Sequence, residues 1–230
     1  RFPGRLGNGL WVEFIYSQAL NAGLRITPVA GSGSGLVPNP AGQNRVYARI
    51  RGEPTWDSWL RALRGGQVLV TNGPLMTPSV NGELPGHTFK ASAGQTVSLQ
   101  ASLALYTREK IAYFELIRDG RVVESVPLEQ WVGDRGRLPK VEFERSGWMM
   151  LRAVTKNKQT LRYVSTGPYY VEIGGQPAIS RRAADFFLDW TRDRTQTIRL
   201  GDADDQAELL RDHRSAIQFW ERRRELANLD

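Results

Sequence analysis

From Gln67 onward short apolar segments recur about every ten residues, a spacing that fits strands joined by tight turns better than helices. It predicts strands at Val68–Thr71, 96–106, Ile111–Arg118, 121–126, 140–144, 148–155 and 163–173. Several alternate in polarity, as Val97, Leu99, Ala101, Leu103 and Leu105 do, which puts one face of the strand on a core. Asn72-Gly73, Asn81-Gly82, Asp119-Gly120 and Asn157-Lys158 mark turns between the segments. Asn-Gly and Asp-Gly are hairpin signals because both central residues of the favoured turn need positive φ. Strands with such regular turns predict an antiparallel, immunoglobulin-like β-sandwich of seven or more strands over residues 73–175.

Other segments read as helical. Leu10, Trp11, Val12, Phe14, Ile15, Tyr16, Ala19 and Leu20 make a helix to Asn21 with no polar face, which belongs inside a larger assembly. A short strand is expected over 24–30, then a loop through Gly31-Ser-Gly-Ser-Gly and Asn39-Pro-Ala-Gly, then a strand around Val46, Tyr47 and Ile50. Thr55 can cap a helix that reaches Arg64 and stops at Gly65-Gly66. At the C-terminal end Ile179, Ala183, Phe186, Phe187 and Trp190 share one helical stripe. A second helix over 202–228 aligns Ala203, Ala207, Leu210, Ile217 and Trp220, with acids in its first turn to suit the helix dipole.

Composition narrows the function classes. With 40% hydrophobic and 24% charged residues the chain can bury a core, and no apolar run reaches the roughly 18 residues of a membrane span. Zero cysteines exclude a thiolate nucleophile, a disulfide framework and cysteine-held metal sites. The formal charge of +7 invites a nucleic-acid partner, but outside residues 1–52, which carry six Arg against Glu13, the surface is mixed. The run Arg222-Arg223-Arg224 is bracketed by Glu221 and Glu225, and no recognition-helix or stacking motif appears, so no nucleic acid is expected. The chain begins at Arg1 with neither Met nor a signal-like apolar segment, which is expected of a processed chain or a fragment.

Chemistry is sparse. His87 follows Pro85-Gly86 in a loop and His213 sits on the stripe between Leu210 and Ile217, so structural roles are expected for both. Asp202-Ala-Asp-Asp lacks the glycine a calcium loop needs at Ala207 and reads as a helix cap. Gly31-Ser-Gly-Ser-Gly fits neither a phosphate loop nor a nucleophile elbow. Trp131, in Gln130-Trp-Val-Gly-Asp-Arg-Gly, is the best candidate for an exposed binding aromatic.

Two stretches, Asn21-Ala-Gly-Leu-Arg-Ile-Thr-Pro-Val-Ala-Gly-Ser-Gly-Ser-Gly and Asn39-Pro-Ala-Gly-Gln-Asn-Arg-Val-Tyr, resemble the end of the barrel in CehA/McbA-type metallohydrolases. These belong to the PHP (polymerase and histidinol phosphatase) superfamily. The similarity continues through residues 56–65, Val70-Thr-Asn-Gly-Pro74 and Glu115-Leu-Ile-Arg-Asp-Gly-Arg-Val-Val, and covers roughly residues 10–175. The resemblance implies an α/β barrel whose histidines and acids hold two or three metals for hydrolysing phosphate or carbamate esters. Its closing ligands lie in a Gly-Ser-Asp-x-His-like stretch, where this chain has Gly33 and Gly35, and its first His-x-His ligands would lie upstream of Arg1.

The expected fold class is therefore α+β: the end of a PHP-like barrel over 1–72, the sandwich over 73–175 and C-terminal helices over 176–230. The expected function is that of a non-catalytic C-terminal part of a PHP-like hydrolase or pseudo-hydrolase. The alternative is a secreted or periplasmic binding module for carbohydrate or protein. Candidate binding residues are Ser32, Ser34, Asn44, Arg45, Asn72 and Trp131, with no catalytic or metal-ligating residue. No cofactor is expected in this chain, and divalent metals only in a full-length parent. The missing barrel half or a partner chain is expected to cover residues 1–30, with a homo-oligomer as an alternative and a periplasmic or secreted location favoured. Asn72-Gly73-Pro74 should be a tight turn in which Gly73 takes backbone angles forbidden to a side chain.

Overall fold

The computed structural model describes residues 7–35, 39–157 and 159–230. Arg1, Leu36-Val37-Pro38 and Lys158 of the expected Asn157-Lys158 turn lie outside the described residues. In chain order the elements are α1 (Gly7–Asn21), β1 (Arg45–Ala48), α2 (Trp56–Arg64), β2 (Val68–Thr71), β3 (Leu75–Val80), β4 (Thr88–Ala91), β5 (Val97–Tyr106) and β6 (Ile111–Arg118). They continue with β7 (Arg121–Pro127), α3 (Leu128–Gly133), β8 (Arg137–Phe143), β9 (Gly147–Thr155), β10 (Tyr163–Thr166), β11 (Tyr169–Ile173), α4 (Arg181–Thr197) and α5 (Ala203–Glu225). The class is α+β, and the chain divides into two compact units. One is residues 26–176; the other joins residues 1–25 to 177–230.

Residues 26–176 form two sheets around one core. In the larger, β9 pairs with β6 along one edge and with β10 and β11 along the other. β7 lies outside β6, β2 outside β10, and β1 outside β2. The smaller sheet has the order β3-β5-β8. Leu99, Ala101 and Phe143 from the smaller sheet meet Phe114, Leu116, Met149, Leu151 and Tyr169 from the larger. Burying each large apolar side chain of this kind contributes about 1.5–3 kcal/mol. The hairpin expected at Asp119-Gly120 forms, with φ of 49° and 83° between paired Arg118 and Arg121.

Four expectations change. Residues 26–72 do not build a separate barrel piece, because β1 and β2 pair antiparallel and enter the sandwich sheet beside β10. No strand forms over 24–30: Pro28 supplies no N–H, and the Thr27 hydroxyl donates to the Leu63 carbonyl at 2.8 Å. The sandwich is not wholly antiparallel, since β4 lies parallel to β11. The single strand expected over 163–173 is instead β10 and β11, broken at Gly167-Pro168, where proline supplies no ladder donor.

Tyr169 is fully buried, and its hydroxyl has no hydrogen-bond partner among the described residues. Desolvation alone holds its ionisation far above the ordinary tyrosine range. A buried unpaired hydroxyl costs free energy that a phenyl ring does not, so Tyr169→Phe is expected to stabilise by about 1 kcal/mol. A urea midpoint below wild type would contradict that expectation.

In the helical unit, the Asp202 carboxylate accepts the Asp204 and Asp205 amides and starts α5. Ser180 caps α4 in the same way through the Ala183 amide. Phe187 and Trp220 stack at 4.5 Å between α4 and α5. Asn228 fastens the end of the chain to the start of α4, its Oδ1 accepting the Ile179 amide at 2.9 Å. Trp11 and Phe14 of α1 pack on α4, Phe14 meeting Phe186 edge-on at 5.3 Å and Trp11 meeting Trp190 at 6.1 Å. α4 thus covers part of the apolar side of Trp11 and Phe14; Trp11 remains 37% exposed. No helix among the described residues is long and apolar enough to cross a membrane.

Candidate functional site

The glycine-rich loop is tied to itself. The Asn44 amide donates to the Ser32 hydroxyl at 3.0 Å, Asn44 Nδ2 to the Gly31 carbonyl at 3.2 Å, and Asn39 Nδ2 to the Ser32 carbonyl at 3.1 Å. Ser34 is exposed on the same loop. Short polar side chains that bond nearby backbone fix a loop, and Ser32 and Asn44 do so here. Arg45 is also engaged: one guanidinium nitrogen reaches the Gly42 carbonyl at 2.8 Å and another the Gly73 carbonyl at 3.4 Å. Asn72 extends the ladder beside β10, donating to the Leu161 carbonyl and accepting the Tyr163 amide, both at 2.9 Å. Ser32, Asn44 and Arg45 therefore share one loop anchorage, whereas Asn72 belongs to the β10 edge.

The Asn72-Gly73-Pro74 bend is present, but Gly73 does not take positive φ. Thr71 shapes it, its hydroxyl donating to the Pro74 carbonyl at 2.6 Å and accepting the Gly73 amide at 3.0 Å. What glycine supplies there is room, since a Cβ would come within 3.2 Å of a Glu109 carboxylate oxygen and 3.3 Å of Arg162.

Trp131 is an anchor and not an exposed aromatic. Its ring lies 4.9 Å from Phe114 and packs against the core, and its buried indole N–H has no partner among the described residues. The exposed tryptophan of this unit is Trp56, 69% exposed at the start of α2 and stacked on Trp59 at 5.1 Å.

The titratable groups are scattered. His87 approaches Glu83 at 3.4 Å, and His213 Nδ1 pairs with the Thr195 hydroxyl at 3.1 Å. Among the described residues no three His, Cys, Asp or Glu converge as metal ligands would. Asp119 is displaced from its usual ionisation range: burial raises its pKa, outweighing the Trp148 amide it accepts and the nearby Arg145 and Arg118. The folded chain thus holds this proton to higher pH than the unfolded chain. Its contribution to stability is complete below the ordinary aspartate value and is lost as pH rises through the raised one. Asp119→Asn is expected to flatten that decline in urea midpoints measured above about pH 4; parallel curves for mutant and wild type would contradict it.

One hollow with room for a ligand had no counterpart among the expected site residues. Between edge strands β1 and β3 the sandwich opens into a groove of ≈ 290 Å³, walled by Tyr47, Leu69, Met76, Pro78 and Tyr106 with Arg49 at its rim. Tyr47 is 41% and Tyr106 63% exposed. A second, more polar hollow of ≈ 340 Å³ contains Arg51, Glu83 and His87 and shares Gln67, Leu84 and Pro85 with the first. Alternation of Arg45, Tyr47, Arg49 and Arg51 was the available sequence signal, because alternate residues of a strand share one side.

No family model and no curated protein matches the chain. Among solved structures it is similar to the fibronectin(III)-like modules of Clostridium thermocellum CbhA, at 15% identity and a TM-score of 0.28. That similarity covers 42% of this chain and 96% of the other.

Proposed function

We propose that residues 26–176 are an accessory binding module whose ligand occupies the groove between β1 and β3, and that the chain does not itself catalyse hydrolysis. The observation that carries this reading is the groove: an apolar mouth with two exposed tyrosines, at open sheet edges, sharing wall residues with a polar hollow. The parent would be a PHP-like metal-dependent hydrolase of the CehA/McbA type, as the sequence resemblance implies. Support for that half comes from the loop. The two resembling stretches meet through Ser32, Asn39 and Asn44, as parts of one inherited unit would, with Gly33 and Gly35 offering no ligand atoms.

Methyl-resolved NMR tests the module reading, with a pool of random octapeptides and, separately, maltohexaose as probes. Shifts concentrated at Met76, Leu69 and Leu75 with either probe are expected. Responses confined to other surfaces, or none, would contradict a ligand site at this groove.

A further inference from the structure

The outer edge of β1 carries information about the ligand. Arg49 donates its amide to the Gln67 carbonyl at 2.8 Å, and Arg45 and Tyr47 stand opposite Thr71 and Leu69. In an antiparallel ladder the odd-numbered residues here therefore face β2, and the N–H and C=O groups of Val46 and Ala48 point away from it. Neither residue makes a further backbone hydrogen bond among the described residues. Two residues earlier, the same outward position is filled: the Ser32 hydroxyl takes the Asn44 amide and reaches the Asn44 carbonyl at 3.5 Å. The edge is thus closed at Asn44 and open along Val46 and Ala48, which is where an extended chain can add.

Charge selects the kind of chain. Arg49 and Arg51 are exposed and have no ion-pair partner among the described residues. The acid of the adjoining hollow, Glu83, faces His87. Tyr47 and Arg49 both border the groove, so a strand laid along β1 would alternate side chains over the apolar mouth and toward the two cations. We propose that β1 receives an extended acidic segment of a partner protein as an added strand, one apolar side chain entering the mouth by Met76 and Tyr106 and flanking carboxylates meeting Arg49 and Arg51. This rests on the reading of the groove as the binding site and names its occupant.

The probe is the synthetic peptide acetyl-Ser-Glu-Thr-Val-Thr-Glu-Ser-amide, compared with versions carrying Lys or Gln at both Glu positions. Amide spectra of the full 230-residue chain are the readout. The acidic peptide is expected to shift the Val46 and Ala48 amides and to bind roughly tenfold more tightly than the lysine version, the difference shrinking at about 0.5 M salt. In the Arg49→Glu, Arg51→Glu double variant, whose changes are exposed, the preference should reverse toward lysine. Unshifted Val46 and Ala48 amides, equal binding of all three peptides, or an unreversed preference in the double variant would overturn the proposal. If the acidic peptide is silent while the glutamine peptide moves Met76 and Tyr106, the occupant is wrong and the groove reading stands. If every peptide and maltohexaose leave the groove silent, both fall.

Discussion

Gly86→Ala is expected to destabilise the sandwich by more than about 3 kcal/mol, the largest effect of any single methyl added at the glycines that surround the groove. Gly86 has φ of +88°, and a Cβ built on it would land on the Gly65 carbonyl. Its own amide donates to the Pro168 carbonyl at 2.8 Å, so the backbone cannot simply swing aside. Gly66 approaches the Gly86 Cα to within 3.0 Å of where its own Cβ would be, and Gly167 has no room against the Gly66 carbonyl. These glycines let the turn after α2, the loop of residues 84–87 and the β10–β11 break pack backbone to backbone. Leu84, Pro85 and Gln67, which both hollows share, hang from that contact. Gly94→Ala is the control: φ is +80° there, but nothing lies within 4 Å, so only the backbone cost of about 1–2 kcal/mol is expected. Equal urea midpoints for the two variants would show that φ and not crowding sets the requirement.

Phe114→Ala should cost about 3–5 kcal/mol, the range for truncating a fully buried aromatic ring. Phe114 is wholly buried between the sheets and is the ring on which Trp131 rests. Truncation leaves a cavity and removes the support of α3, whose Trp131 carbonyl accepts the Gly136 amide at 3.0 Å while the Gly136 carbonyl accepts Leu103. The indole signal of Trp131 should therefore move as stability falls. A loss under about 1 kcal/mol, or a stationary Trp131 signal, would contradict the anchor role.

Local pattern determined what could be read in advance. β2 and β6 were legible to the residue, since each is a short apolar run that ends at an Asn-Gly or Asp-Gly turn. The capped helix from Thr55 was equally plain, its hydroxyl accepting the Ser58 amide in a capping box. β3 was missed because Pro78 interrupts it, and only its place at a sheet edge makes a proline tolerable. β4 is four residues long and carries too little periodicity to notice. That α1 packs with α4 is a contact between distant parts of the chain, which no local signal announces.

The site was harder to read for the same reason. Ser32, Asn44 and Arg45 cluster in a glycine-rich loop, a setting that suits ligand binding and self-bonding equally well; geometry assigns them to self-bonding. The β1–β3 groove depends on β1 lying outside β2 in one sheet and β3 lying outside β5 in the other, and neither placement is encoded in adjacent residues. Only the alternating arginines and Tyr47 of β1 hinted at it.

Metal loading tests the central claim most directly, because PHP-type hydrolysis needs a metal-bound hydroxide held by several converging ligands. The purified chain would be stripped with chelator, refilled separately with Zn²⁺ and Mn²⁺, dialysed and submitted to elemental analysis and a bis(p-nitrophenyl) phosphate assay. Sub-stoichiometric metal and no hydrolysis above the buffer rate are the expected results. Stoichiometric retention of either ion together with phosphodiesterase activity would contradict the proposal that this chain is a non-catalytic binding module.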